Sequence, residues 1–185
     1  MQGEIEAERN RRPRVLVVDD ESSVRHVLNN FLEMMDCLVH CLASSEEALQ
    51  YLADSPAPDV ALVDIVLPGK SGLELVTELG LRCPDTEVVL ITSYGSVDTA
   101  VDAMRRGAYD YLQKPFRSLD YVWQTVQRAV EKRRLTVEMR NLLDGQAEAN
   151  REIVRSVEQL SAGEGDDDGE GSVGPASDLN RDRRA

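Results

Sequence analysis

Asp59-Val-Ala-Leu-Val-Asp64 sets four apolar residues between two aspartates. The run is too short for an ordinary helix and has no polar alternation, so it reads as a strand covered on both faces, as in parallel sheets. Two runs of the same character precede it, Arg14-Val-Leu-Val-Val-Asp19 and Cys37-Leu-Val-His-Cys-Leu42. Two follow it, Glu87-Val-Val-Leu-Ile-Thr92 and Ala108-Tyr-Asp-Tyr-Leu112. The intervening segments, Ser22 to Met35, Ser45 to Ala53, Ser71 to Leu79 and Ser96 to Arg106, carry apolar residues at helical spacing. Ser44 and Glu47 stand as a capping box for the second of these helices, and Gly107 is placed to stop the fourth. Strand and helix alternating at this interval predict an α/β fold, a doubly wound five-stranded parallel sheet with right-handed crossovers. Ligands of such sheets bind beyond the carboxyl ends of the strands.

Composition bounds the function. The 185 residues carry 34 Asp and Glu against 21 Lys and Arg, a net charge of -13, which argues against a general nucleic-acid binder. No run approaches the roughly 18 apolar residues of a membrane span, and the acidic start Met1-Gln-Gly-Glu-Ile-Glu-Ala-Glu8 does not resemble a secretory signal. The expected location is cytoplasmic, without membrane insertion. Three cysteines, Cys37, Cys41 and Cys83, fit small apolar residues in a reducing compartment rather than a disulfide framework. The charge is unevenly spread: residues 1–118 hold 20 acidic and 11 basic side chains, residues 119–160 hold seven of each, and residues 161–185 hold seven and three. The expected organisation is a disordered leader over 1–12, one domain over 13–134, a helical extension over 135–160 and a disordered acidic tail over 161–185, where five glycines flank Asp166-Asp167-Asp168.

The carboxyl ends of the strands bring together Asp19 and Asp20 after the first, Asp64 after the third, Thr92 after the fourth and Lys114 after the fifth. Three crowded carboxylates repel unless a cation sits among them, and a hard divalent ion with oxygen ligands, Mg²⁺ first, answers that need. With Lys114 included the pocket carries about -2, which one Mg²⁺ neutralises while leaving Asp64 available as an oxygen nucleophile. A phosphoryl group is the cargo such a pocket suits, its negative oxygens held by the cation, the Lys114 ammonium and the Thr92 hydroxyl. Taken singly, Asp19 and Asp20 read as helix caps and Asp64 as a solvated strand end. Their joint placement favours the phosphoacceptor reading.

Val17-Val-Asp-Asp-Glu21, Asp64 with Pro68-Gly69 downstream, Ile91-Thr-Ser93 and Tyr111-Leu-Gln-Lys-Pro-Phe116 stand in this order over roughly Arg14 to Leu135. In this the chain resembles the receiver domain of two-component response regulators. The resemblance implies a flavodoxin-like sheet in strand order 2-1-3-4-5 and a phosphoryl group passed to Asp64 from the phosphohistidine of a sensor histidine kinase or a phosphotransfer protein. It implies Mg²⁺ on Asp20, Asp64 and the backbone carbonyl of Val66, with Asp19 acting mainly through a bound water, and Lys114 paired with the phosphoryl group. It further implies a cis Lys114-Pro115 bond, and a switch in which Thr92 moves toward the phosphoryl oxygens and Tyr111 rotates into the space vacated, altering a surface that binds a downstream protein partner. Val66 and Tyr94, two residues beyond Asp64 and Thr92, occupy positions that tune dephosphorylation in that family. Neither side chain readily orients an attacking water, so the expected phosphoryl state is persistent.

Beyond Ser118 the apolar positions Leu119, Val122, Val126, Ala129 and Val130 continue into Leu135, Met139, Leu142, Ala149, Ile153 and Leu160, an extended amphipathic helix. Its seam makes a dimeric coiled coil a candidate, weakened by Gln146, Ser156 and Asp144-Gly145. Val130-Glu-Lys-Arg-Arg-Leu135 and Glu138-Met-Arg-Asn-Leu-Leu143 are similar to the linker after receivers in enhancer-binding transcription activators, but an ATPase domain after them is not part of the expected organisation. The stretch 119–160 is neutral and too short for a helix-turn-helix, so no direct DNA binding is expected. The primary expectation is a stand-alone, phosphorylation-activated response regulator rather than a turnover enzyme. The alternatives are a receiver fragment of a larger activator, an aspartyl-phosphate phosphohydrolase, which lacks its usual Asp-x-Asp loop, and a flavin binder, disfavoured because Asp19-Asp20-Glu21 repels phosphate. Cys37, His40 and Cys41 read as packing rather than a metal site, since strand alternation sets His40 opposite both cysteines. His26 reads as a surface or partly buried helix residue.

Overall fold

The computed structural model describes residues 11–93 and 97–163. In chain order the elements are β1 (Arg14–Val18), α1 (Ser22–Met34), β2 (Leu38–Leu42), α2 (Ser45–Asp54), β3 (Val60–Asp64), α3 (Gly72–Arg82), β4 (Glu87–Thr92), α4 (Val97–Arg105), β5 (Asp110–Gln113) and α5 (Leu119–Gly163). The strands form one parallel sheet in the order β2-β1-β3-β4-β5, as the resemblance implies. The chain divides into two compact units, Met1–Leu142 and Leu143–Ala185. The packing described below belongs to the first. Within the second, α5 exposes Leu143, Ile153 and Val154.

The apolar strands show why both faces had to be covered. Val15, Val17, Val60, Leu62, Val89, Ile91 and Leu112 point to one side, where Leu28 and Leu32 of α1 and Val122, Val126, Ala129 and Val130 of α5 close over them. Leu16, Val18, Ala61, Val63, Val88 and Leu90 point to the other, under Ala48 of α2, Leu75, Val76 and Leu79 of α3 and Ala103 of α4. Each buried Val or Leu contributes about 1.5–3 kcal/mol relative to exposure, so the two clusters are the main hold on the sheet. Helix ends follow local chemistry. Gly107 at φ 95° closes α4, its N–H donating to Met104 O and that of Ala108 to Ala103 O, a Schellman arrangement. Asp36 at φ 61° plays the same part after α1.

The expected capping box at Ser44 forms only by half. Ser44 Oγ accepts from Glu47 N at 3.2 Å, but the Glu47 carboxylate reaches one residue farther back, to Ala43 N at 2.9 Å. The complete box lies at Ser71 and Glu74, at the start of α3. Two residues assigned by sequence to the leader are held: Arg11 pairs with Asp59 at 2.7 Å and Arg12 with Asp36 at 2.7 Å. Asp59, itself buried, also accepts from Arg14 N at 2.6 Å and pairs with Arg133 at 2.7 Å. Lys132 with Glu87 and Arg140 with Asp85 continue this series, so α5 stays tied to the sheet's amino-terminal edge past the expected boundary at 134. Residues 1–10 and 164–185, with most of the expected leader and tail, lie outside the described residues, as does Tyr94. Among the described residues no helix is long and apolar enough to cross a membrane.

Candidate functional site

The site is built where four strands end. The register of β1 with β3 places Val18 beside Val63, so Asp19 and Asp64 leave the sheet side by side, and Thr92 follows Ile91, the β4 partner of Asp64. Lys114 follows β5, with its N–H donating to Thr92 O at 2.7 Å. Asp19, Asp64 and Thr92 are buried, whereas Asp20 is exposed. Close approach of the next helix depends on Gly72, where a Cβ would fall 1.9 Å from the backbone oxygen of Asp64.

Lys114 organises these groups. Its ammonium donates to Asp64 Oδ2 at 2.6 Å and to Glu21 Oε1 at 2.9 Å, and lies 2.8 Å from Asp19 Oδ2. The last is an ion contact poorly aligned for a hydrogen bond, which leaves Asp19 Oδ2 buried without a hydrogen-bond partner. Burial works against charge on Lys114, but the carboxylates of Asp19, Asp64 and Glu21 around it outweigh that and hold the ammonium above the ordinary lysine range. Burial likewise pushes the Asp19 carboxyl up, against the pull of Lys114 and of the Glu21 N–H. Asp64 Oδ1 accepts from Val66 N at 2.9 Å, which folds the chain back over the carboxylate.

Carboxylate oxygens of Asp19, Asp20 and Asp64 lie within 4.8 Å of one another. Octahedral Mg²⁺ with oxygens at about 2.1 Å needs ligand oxygens a few ångströms apart, so the three fit a single ion completed by water or backbone carbonyl. The orphaned Asp19 Oδ2 is an acceptor such an assembly would satisfy, through the ion or its water. The residues present therefore suit a hard divalent cation.

The structure places each residue read from the sequence as a pocket member. Asp19, Asp20, Asp64, Thr92 and Lys114 converge, and the Lys114-Pro115 peptide is cis. Val66, 59% exposed, follows Asp64 by two residues and donates its N–H to Asp64 Oδ1. Tyr111 stands on β5, 40% exposed. Outside the pocket, His40 stacks on Tyr51 with ring centroids 4.0 Å apart, and all three cysteines are free thiols. His26 lies exposed on α1 beside Asn30.

Two members of the site were missed, Glu21 and Arg25. Their spacing of four reads as a routine helical ion pair. Instead Glu21 turns to Lys114, and Arg25 Nη1 donates to the carbonyl oxygens of Asp19 at 2.6 Å and Asp20 at 2.8 Å. The added charges cancel, and the pocket's balance of about -2, four carboxylates against two cations, survives with different members. Glu46 on α2 was also missed: it accepts from Lys70 N at 3.0 Å and packs on Gly69, whose φ is 73°, so the loop after Asp64 is tethered.

The chain is similar to several known proteins. The regulatory protein AtoC of Escherichia coli (strain K12) is 40% identical over 129 residues, which cover 70% of this chain and 28% of AtoC. The DNA-binding transcriptional regulator NtrC of the same strain is 36% identical over 155 residues, 80% of this chain and 33% of NtrC. The chain thus spans about a third or less of the curated relatives it matches. The solution structure of the beryllofluoride-activated NtrC4 receiver domain dimer superposes with a TM-score of 0.61 at 36% identity, covering 65% of this chain and 98% of that one. The profile of the response regulator receiver domain matches residues 15–126, which on this geometry places the chain in the response regulator receiver family.

Proposed function

We propose that Asp64 is the phosphoacceptor of this receiver, taking a phosphoryl group from the phosphohistidine of a sensor histidine kinase or phosphotransfer protein. The observation that carries the reading is the convergence of Asp19, Asp20 and Asp64 oxygens within 4.8 Å around an ammonium 2.6 Å from Asp64. An Asp64 oxygen attacks phosphorus, the P–N bond to the donor imidazole breaks, and its electron pair stays with that nitrogen, which takes up a proton. Asp20, Asp64 and the Val66 carbonyl, with Asp19, would hold Mg²⁺, which would supply positive charge against the phosphoryl oxygens. Asp19 would act on the ion mainly through a bound water. Lys114 then exchanges its Asp64 carboxylate contact for the new phosphoryl oxygens, and the Thr92 hydroxyl turns toward them.

The response is a shift of population, in which Tyr111 leaves its exposed position as Thr92 moves. Val101, Met104 and Tyr111 are exposed on α4 and β5, which supports this face as the one that meets a downstream protein partner. Leu135, Met139 and Leu142 are exposed along α5, which supports its use as a homodimer surface, and the similar beryllofluoride-activated NtrC4 receiver domain is a dimer. The chain acts as a cytoplasmic switch rather than a turnover enzyme, with output by protein contact and no direct DNA binding. Its matches to transcriptional regulators over about a third or less of their length favour one second reading, the receiver portion of a larger activator.

The test is intact mass after incubation with acetyl phosphate and Mg²⁺, with light scattering on the same samples. Wild type should gain one phosphoryl group, and Asp64→Asn and metal-free protein should gain none. An unchanged wild-type mass with no release of inorganic phosphate refutes the reading.

A further inference from the structure

Arg25 is the fourth residue of α1, in its first turn. A cation there faces the positive end of the helix dipole, where acidic side chains are favoured. It is not compensated by an ion pair, since among the described residues its guanidinium meets no carboxylate in a salt bridge. Helical side chains lean toward the amino terminus of their helix, so a long one at this position covers the turn before it. Arg25 does so, with one nitrogen on the carbonyls of both Asp19 and Asp20. The same turn lacks an ordinary cap: Glu21, the N-cap residue, makes no side-chain bond to the helix, because its carboxylate is spent on Lys114.

We propose that Arg25 is a positioning residue for the acidic pocket: by holding the carbonyls of Asp19 and Asp20 together it fixes the turn that presents both carboxylates to Mg²⁺. This rests on the proposed function of the pocket. Two expectations of opposite sign separate positioning from mere charge. As a charge near the pocket, Arg25 opposes a divalent cation, and its removal tightens Mg²⁺ binding. As an orienting partner of two ligands, its removal weakens binding, by about tenfold on the scale of outer partners of metal ligands.

The experiment is calorimetric titration of the full chain with Mg²⁺, for wild type, Arg25→Gln and Arg25→Lys, with thermal melting as a check on folding and acetyl phosphate uptake followed by mass. Arg25→Gln is expected to bind Mg²⁺ about tenfold more weakly, and Arg25→Lys, which keeps the charge, to lie between it and wild type. Equal or tighter binding by Arg25→Gln overturns the proposal, whatever happens to the melting temperature. If Arg25→Gln does not fold, Arg25→Lys decides: a weakened affinity supports positioning, and an unchanged or tighter one refutes it. Wild type that binds no Mg²⁺ and gains no phosphoryl group overturns the functional reading as well, whereas normal wild-type behaviour beside an unaffected variant sinks the Arg25 proposal alone.

Discussion

Replacing Gly72 by alanine tests how closely α3 is drawn to the phosphoacceptor. A Cβ on residue 72 would lie 1.9 Å from the Asp64 carbonyl oxygen, 2.8 Å from its carbon and 3.0 Å from Ile65 Cα. Contacts of real Cβ atoms stay above 3.0 Å, so the helix start must retreat by about 1.1 Å from backbone that cannot rotate aside. Overpacking of this kind costs about 1–3 kcal/mol. Retreat also strains the Gly72 N–H bond to Ile65 O at 3.1 Å, worth about 1 kcal/mol. Against this stands a helix-propensity gain of at most about 1 kcal/mol, so the net loss is about 1–3 kcal/mol. Gly80 is the control, since it lies in the same helix with nothing within 4 Å of a built Cβ. Gly80→Ala should therefore stabilise by about 0.5–1 kcal/mol. Urea unfolding followed by circular dichroism, with unchanged slopes, reads both, and the two alanines should differ by about 1.5–4 kcal/mol. Equal stabilities for the two variants would refute the packing argument. Gly72→Ala should also slow phosphoryl uptake, because Asp64 shares the displaced peptide.

Asp59→Ala removes the buried carboxylate that pairs with Arg133, which is only 12% exposed, and with Arg11, and should cost about 3–5 kcal/mol in urea unfolding. Arg11→Ala, removing the more exposed partner, should cost no more than about 1 kcal/mol, and equal losses for the two would contradict the assigned burial. Burial, aided by the charge of Asp36, pushes the Cys37 thiol up to about 11 from an ordinary 9.0. The folded chain thus holds that proton more tightly than the unfolded one, so Cys37 leaves stability unchanged below about pH 9 and lowers it as pH rises toward 11. Thiol labelling of native protein at pH 8, read by peptide mass, should accordingly spare Cys37 and reach the half-buried Cys41 first. Labelling of both at one rate would be the contrary result.

What could be read from the linear chain was whatever repeats or ends locally. Five apolar runs with β-branched residues announce strands, four helical spacings announce the crossovers, and the rule that ligands gather at strand carboxyl ends then picks out Asp19, Asp20, Asp64, Thr92 and Lys114 before any coordinate is known. These signals survive because each depends on residues within a few positions of one another. Ser44-Glu47 and Ser71-Glu74 share a spacing of three and a local rule, yet only the second closes both bonds of its box, because the path of the chain entering each helix differs. Glu21 and Arg25 are a sharper case. Their sequence relation suggests a bond to each other, and the fold instead spends one on Lys114, 93 residues away, and the other on two backbone carbonyls. Asp59 looks like a strand flank and becomes the counter-ion of Arg133, while Gly72 looks like the start of a helix and is a steric necessity set by β3. Tertiary structure alone decides such roles, because charge and close contact act through space between segments whose separation along the chain carries no periodic signal.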